Sequence, residues 1–390
     1  MYYIMPISTL QDICYYLDMN VVDYVIWRGD IPFSIDPFNN VDGLVFSLFA
    51  YYSFDTLFKG IRSLTIEQLA KSYLSNKVMG NTIMEQQIDN NNLIYQLSRS
   101  SRFKDLVVHN YVSIFHSITT EQFAALTIDL PNNITVISFR GTDNTLTGWN
   151  EDFELSYKEV QAQYDAVDYL NKNAKLFRKY IIVGHSKGGN LALYSAMHCN
   201  KGVQKKILRV ISNDGPGLRT GTFNLEDYNA IKDKYVKIVP EFDVVGSIFD
   251  TSNKKIVIKS DAKGLGQHSG VTWQVEKNDF IRTTLDNDSI LLSEVINNFL
   301  SKTTEEDRKK LTKDIFMTAR NCNIKYISDV NIKTIIDIVK NTADMSKDSK
   351  DIANLLFKEF VAVFGNNFIE EVRDVVNKTR KQIKSRVKKK

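Results

Sequence analysis

Three observations in this 390-residue chain predict an α/β fold with a mostly parallel central sheet. From about Phe123 onward, short apolar strands alternate with amphipathic helices, the pattern of crossover connections between parallel strands. One of those strands runs into the turn Gly184-x-Ser186-x-Gly188, which opens directly into a helix. Beyond about Asp286 no further strand pattern occurs, while helix patterns continue. The expected layout is one domain over residues 1–285, including a helical N-terminal region, and a helical C-terminal region over 286–390 with a basic tail.

Composition sets the broad class. Hydrophobic content of 43% and charged content of 25% are those of an ordinary globular protein. A net charge of +4 is too near neutral, in a chain this long, to point to nucleic acid. The positive excess is concentrated between Lys378 and Lys390, a run with eight Lys/Arg and no acids. That tail reads as solvated, with anionic membrane surface as a secondary partner. Cys14, Cys199 and Cys322 are odd in number and lack metal-ligand spacing, so they read as buried small hydrophobes in a reducing compartment. The start, Met-Tyr-Tyr-Ile-Met-Pro, has no basic segment followed by an apolar run, and no stretch reaches membrane-span length. The expected location is cytoplasmic.

The N-terminal elements read as helices: Thr9 to Asn20, the apolar stretch Asp42 to Tyr52, and a helix opened by the capping box Thr65-x-x-Gln68 and ending near Leu74. Asp89 to Asn92 is a polar break. Phe123 to Asp129 and Ile134 to Phe139 flank Leu-Pro-Asn-Asn and form a hairpin. Glu159 to Arg178 carries Val160, Tyr164, Val167, Leu170, Ala174 and Phe177 on one helical stripe. The strand Tyr180 to Val183 leads to a helix from Gly188 to about Cys199. Further strands are expected at Arg209–Asn213, Tyr235–Val239, Lys255–Lys259 and Val271–Val275. In the last hundred residues the helices are Thr303-x-x-Glu306 to Ala319, Ile332–Asn341, Lys350–Phe364 and Phe368–Lys384.

The strand–turn–helix around Ser186 is the pattern of a nucleophile elbow, a bend so sharp that both flanks need glycine. Such a bend lifts the hydroxyl above the strand end, with a helix N-terminus behind it to face a developing oxyanion. The plain alternative is a tight structural turn. A serine hydroxyl needs a base, and the base needs a third group to hold its tautomer. Of five histidines, His109 and His116 precede the sheet region, His185 adjoins the serine and should point away, and His198 closes the next helix. His268, in Gly264-Leu-Gly-Gln-His-Ser-Gly270, fits the chain order serine, acid, histidine. Asp243 follows the strand Tyr235–Val239, and Asp214 follows the strand before it in Ser-Asn-Asp-Gly-Pro-Gly. Order and spacing favour Asp243, with Glu241 and Asp250 weaker. Lys187, next after the serine, and Thr142, in the glycine turn after Phe139, are positioned to give oxyanion-hole N–H groups.

Taken together these residues resemble the class 3 lipases, an α/β-hydrolase family. The resemblance rests on Phe139-Arg-Gly-Thr142, Trp149-Asn-Glu-Asp152, Gly184-His-Ser-Lys-Gly-Gly189, Asp243-Val-Val and a late histidine, and it covers about Phe123 to Val275. It implies an α/β-hydrolase fold, a triad of Ser186, Asp243 and His268, and oxyanion residues Thr142 and Lys187, and it decides against Asp214. It also implies a lid over roughly Asp143 to Phe153. That stretch is polar here, so soluble acyl esters stand beside lipid-like ones as substrates. The wider chain is similar to the bacterial Mbeg-like family, a lipase-like domain. That similarity is carried by Asp23-Tyr-Val-Ile-Trp-Arg-Gly-Asp-Ile-Pro-Phe, by Pro37-Phe-Asn-Asn-Val-Asp42, and by Gly-His-Ser-Lys-Gly-Gly-Asn-Leu-Ala at the elbow.

The resulting expectation is a serine hydrolase of carboxylic esters, with an acyl ester or lipid-like small molecule as partner and no metal or organic cofactor called for. An acyltransferase or thioesterase using the same triad is the first alternative. A hydrolase-like fold kept as an interaction module is the second.

Overall fold

The computed structural model describes residues 19–76, 83–116, 121–142, 146–250, 252, 255–321 and 346–364. The expected helices Ile332–Asn341 and Phe368–Lys384, most of Thr9–Asn20, the basic tail, Cys14 and Cys322 lie outside the described residues. The chain divides into two compact units. One takes in residues up to His116, Glu121–Asp143 and Gln161–Asp286; the other takes in Ser117–Thr120, Asn144–Val160 and Asn287 onward.

In the first unit an eight-stranded sheet runs in chain order from one edge to the other. Its strands are β1 (Ser63–Thr65), β2 (Val107–His116), β3 (Glu121–Leu130), β4 (Ile134–Phe139), β5 (Lys179–His185), β6 (Ile207–Asn213), β7 (Tyr235–Pro240) and β8 (Lys255–Ile258). Pairing is antiparallel from β1 to β4 and parallel from β4 to β8. The parallel half has the expected strands: β4 as expected, β5, β6 and β7 longer, and β8 one residue shorter. β1 and β2 add to the expectation: Val107–His116 carries Asn110 at φ 54, and its register with β3 shifts between His109 and Val112, which breaks the alternation of a regular strand.

Helices cover both faces. α1 (Val21–Arg28) and α2 (Asn40–Phe49) come first, and α2 packs on β4, β5 and β6. It is apolar on nearly all sides and buried throughout after its first residue, as a helix sunk in a core must be. Its one buried acid, Asp42, has a reason to be there. Arg102 donates to it through Nε at 2.9 Å and Nη2 at 2.6 Å, and Tyr24 Oη donates at 2.9 Å. Asp42 also caps its own helix by accepting from Asn39 N–H at 2.9 Å. Arg102 lies over the Phe33 ring at 3.8 Å and donates to the carbonyls of Ile31, Asp36 and Pro37. The two N-terminal sequence stretches, 23–33 and 37–42, are thus joined around one buried guanidinium. α3 (Ile66–Asn76) opens with the expected capping box, since Gln68 N–H donates to Thr65 Oγ1 and Thr65 N–H to Gln68 Oε1. α4 (Ile83–Asn90) and α5 (Leu93–Arg99) complete this layer, with α4 reaching into the expected polar break. Phe46 and Phe103 meet edge-on within it at 5.7 Å.

Ile181 and Val183 of β5 belong to the core on the α2 side. Tyr180 and Ile182 alternate to the other face, which α8 (Lys187–His198) covers.

The second unit is helical in its described residues: α6 (Leu146–Glu154), α10 (Asn287–Lys302), α11 (Glu305–Asn321) and α12 (Lys347–Phe364). α11 starts one residue later than expected, because Thr304 and Asp307 form the cap: Asp307 N–H donates to Thr304 Oγ1 at 3.1 Å and Thr304 N–H to Asp307 Oδ2 at 2.9 Å. Residues 146–153, within the stretch expected as a lid, belong to this unit. Phe153 of α6 packs edge-on against Phe316 of α11 at 5.5 Å, and Arg308 Nε donates to the Ser156 carbonyl at 2.9 Å. Lys302 holds α12 through both oxygens of Glu359 at 2.7 and 2.8 Å. Between α6 and α10 in the chain lie α7 (Gln161–Asn173) and α9 (Leu225–Ile231), both in the first unit. Among the described residues no helix is long and apolar enough to cross a membrane.

Candidate active site

Parallel pairing puts the C-terminal ends of β5, β6 and β7 side by side: His185 is opposite Asn213, and Asn213 opposite Ile238. Whatever follows each strand is therefore delivered to one place.

Ser186 follows β5 with φ 57 and ψ −131, a left-handed bend that a non-glycine residue adopts only under constraint. The flanking glycines are required by contact. A Cβ on Gly184 would lie 2.0 Å from the Gly188 carbonyl oxygen, and one on Gly188 would lie 2.2 Å from that of Phe139. The turn closes with Gly189 N–H donating to the Ser186 carbonyl at 2.8 Å.

Asp214 follows β6, also left-handed at φ 48, and its N–H donates to Ile238 O at 2.7 Å on β7. That bend turns its side chain into the gap between the strand ends. His268 closes a 3₁₀ turn, Gly264–His268, after β8. Its Nδ1–H donates to Asp214 Oδ2 at 2.6 Å, which leaves the Nε2 lone pair to accept from Ser186 Oγ at 3.0 Å. Burial would push the Asp214 carboxyl up, but the electrostatic pull of the His268 ring and its hydrogen bond outweigh it and hold the group below the usual carboxylate range.

The expected acid, Asp243, does not meet His268. Its Oδ2 instead pairs with Lys255 Nζ at 3.0 Å, and Lys255 also pairs with Asp250 at 2.9 Å. Burial first, then the neighbouring Asp214 charge, push the Asp243 carboxyl up to about 6, against the pull of Lys255 and Lys237. Spacing in sequence could not separate the two acids, because each follows a strand ending at the same edge. The lysine that pairs with Asp243 comes from β8, and only the folded sheet brings it there. Glu241 stays near Gln267 at 3.4 Å.

Thr142 lies in the stretch after β4, and Lys187 directly follows Ser186. The turn after β4 abuts the elbow: a Cβ on Gly141 would be 2.6 Å from the His185 carbonyl. Lys187 opens α8, and its side chain is buried, with Nζ donating to Gln122 O at 3.0 Å.

Three further residues organise the site. His185 sits in a specific network. Its Nε2 lies 2.7 Å from the His268 carbonyl, which can only accept, so Nε2 carries the proton. Nδ1 then accepts from Tyr51 Oη at 2.9 Å. Burial, followed by the charge of His268, lowers the His185 pKa to about 3, so the ring is neutral. Tyr51 also fills the space beside Gly141, where a Cβ would fall 2.0 Å from its hydroxyl. One tyrosine thus touches the turn after β4, the elbow and, through His185, the histidine loop. Asn190, in the first turns of α8, donates to Gly217 O at 2.6 Å and accepts from Gln163 Nε2 at 2.9 Å, pinning the loop that carries Asp214. The Gly-Gly-Asn of the elbow stretch was the visible sign of this. The histidine loop is fixed on its other sides by Trp273 Nε1 donating to Gln267 O at 2.8 Å and Ser269 Oγ donating to Gln87 Oε1 at 2.6 Å. Val271–Val275, expected as a strand, is bent by this packing into a 3₁₀ turn at Gly270–Thr272. Trp273 is extended and bridges Ser260, and Val275–Glu276 pairs with Asp279–Phe280 as a two-stranded ribbon.

A family model described as Mbeg1-like matches residues 97–317, more than half of the chain. No curated protein matches it. Among solved structures, one titled "Crystal structure of M37 lipase" is similar over 53% of this chain and 68% of that chain, with 18% identity and a TM-score of 0.32.

Proposed function

This chain belongs to the Mbeg1-like family, and from its site geometry we propose that it is a serine hydrolase of carboxylic acyl esters. The reading is carried by one observation, the unbroken series Ser186 Oγ, His268 Nε2, His268 Nδ1, Asp214 Oδ2, linked at 3.0 and 2.6 Å. A serine, an imidazole and a buried carboxylate in that order are what nucleophilic acyl transfer requires.

In the proposed reaction Ser186 Oγ attacks the acyl carbonyl as its proton passes to His268 Nε2. Asp214, already ionised, holds the Nδ1–H tautomer and stabilises the imidazolium. The backbone N–H groups of Thr142 and Lys187 receive the oxyanion, aided by the N-terminus of α8. His268 then gives its proton to the departing alcohol oxygen, leaving an acyl-Ser186. Water attacks that ester with His268 again as base, and the acid is released. Tyr51 and His185 hold the three loops in register.

The test is turnover of p-nitrophenyl esters of graded acyl length. Wild-type protein should hydrolyse at least one, while Ser186→Ala and His268→Ala should each lose roughly three orders of magnitude or more, because the members act as a unit. Equal rates in wild type and Ser186→Ala would overturn the proposal.

A further inference from the structure

The edge of the sheet opposite the candidate site carries a feature that the fold does not need. Between α7 and β5 the chain makes a tight turn, Lys175 to Arg178, with Leu176 and Phe177 at its two corners. Turn corners ordinarily take Gly, Pro, Asn, Asp or Ser. Here two large apolar side chains stand in water, 73% and 83% exposed. The turn is nonetheless firmly built. Buried Tyr180 brackets the Lys175 peptide, its hydroxyl accepting from Lys175 N–H at 2.5 Å and donating to Lys175 O at 3.1 Å. Lys206 Nζ donates to the same carbonyl at 3.2 Å.

The surroundings are basic. Lys172, Lys175 and Lys179 flank the tip in sequence, and Lys205 and Lys206 lead into β6 alongside, where Tyr180 N–H donates to Lys206 O at 3.0 Å. Arg178 is neutralised by Asp129 at 2.8 Å, and the five lysines outnumber the exposed acids Asp168, on the helix before the turn, and Asp233, before β7.

We propose that this edge is a docking surface for anionic lipid bilayers, with Leu176 and Phe177 inserting at the headgroup level and the lysines gripping the lipid charge. Two apolar side chains are far too small a patch for a stable protein interface, whereas stable membrane attachment takes a short apolar insertion combined with a basic cluster. The surface lies at the N-terminal ends of the parallel strands, so it stands independently of the chemistry proposed for Ser186.

The test uses full-length protein and sedimentation with vesicles of phosphatidylcholine alone or mixed equally with phosphatidylglycerol. Wild type should sediment with the anionic vesicles, and less so as salt is raised. Lys175→Glu/Lys179→Glu should weaken binding by at least about 30-fold, and Leu176→Ser/Phe177→Ser by about tenfold, with melting curves unchanged. In Phe177→Trp, an added indole emission should shift to the blue on anionic vesicles and be quenched by brominated lipid. Wild-type sedimentation matched by both double variants, or an indole at 177 that stays in water when the protein is bound, would overturn the proposal. So would concentration-dependent self-association abolished by Leu176→Ser/Phe177→Ser, which would assign the surface to a second copy of the chain.

Discussion

Asp214 and Asp243 are carboxylates on adjoining loops with opposite circumstances. Asp214 accepts from His268 and is held below the usual range, whereas Asp243 is paired with Lys255 and pushed up to about 6 by burial and by Asp214 itself. Under the proposed mechanism Asp214→Asn should cost roughly three to four orders of magnitude in kcat, and Asp243→Asn no more than about tenfold. Steady-state kinetics on one ester checks both, and the reverse ranking would return the acid to Asp243. A second prediction concerns His185, whose pKa falls from 6.5 to about 3 on folding. Between those values the unfolded chain binds the extra proton, so stability is fully present above pH 6.5 and is lost as pH falls toward 3, by up to about 1.4 kcal/mol per pH unit. Urea unfolding across that window should show a steeper acid loss in wild type than in His185→Gln. Superimposable profiles would contradict the buried, neutral ring. Ser186 and His268 were legible in the sequence, one from its glycine frame and the other by elimination among five histidines. Sequence order does not single out Asp214, because its left-handed turn and the lysine paired with Asp243 are products of tertiary packing.

Among the elements, β4 to β7 and the elbow helix α8 were readable because each is a short apolar run bounded by turn residues. β2 escaped notice because its bulge at Asn110 interrupts the period. The Val271–Val275 run looked like a strand by composition, yet the hydrogen bond from Trp273 to the histidine loop bends it. Helix α2 depends on a contact that no local pattern reveals, the Arg102 guanidinium clamped on Asp42. Removing one partner leaves a buried charge uncompensated, so Arg102→Met should destabilise the protein by about 3–5 kcal/mol. A loss below about 1 kcal/mol in denaturant unfolding would show that the pair contributes little. Because α2 supplies the core under β4 to β6 and leads to Tyr51, the same variant should also lower the proposed activity.

At the scale of the whole molecule, the chain is threaded so that residues 144–160 leave the sheet domain and join the C-terminal helices in a second compact unit. This excursion is not legible in the sequence, since a polar helix between two sheet elements reads as part of the sheet domain. The first unit contains every residue proposed to act on substrate, presented at one edge of one sheet. The central claim is therefore that a single hydroxyl, Ser186, is activated. The direct measurement is intact mass and peptide mapping after treatment with a fluorophosphonate. One adduct per chain, located on Ser186 and absent from Ser186→Ala and His268→Ala, is the predicted result; no adduct on the wild-type protein, or one on another residue, would contradict it.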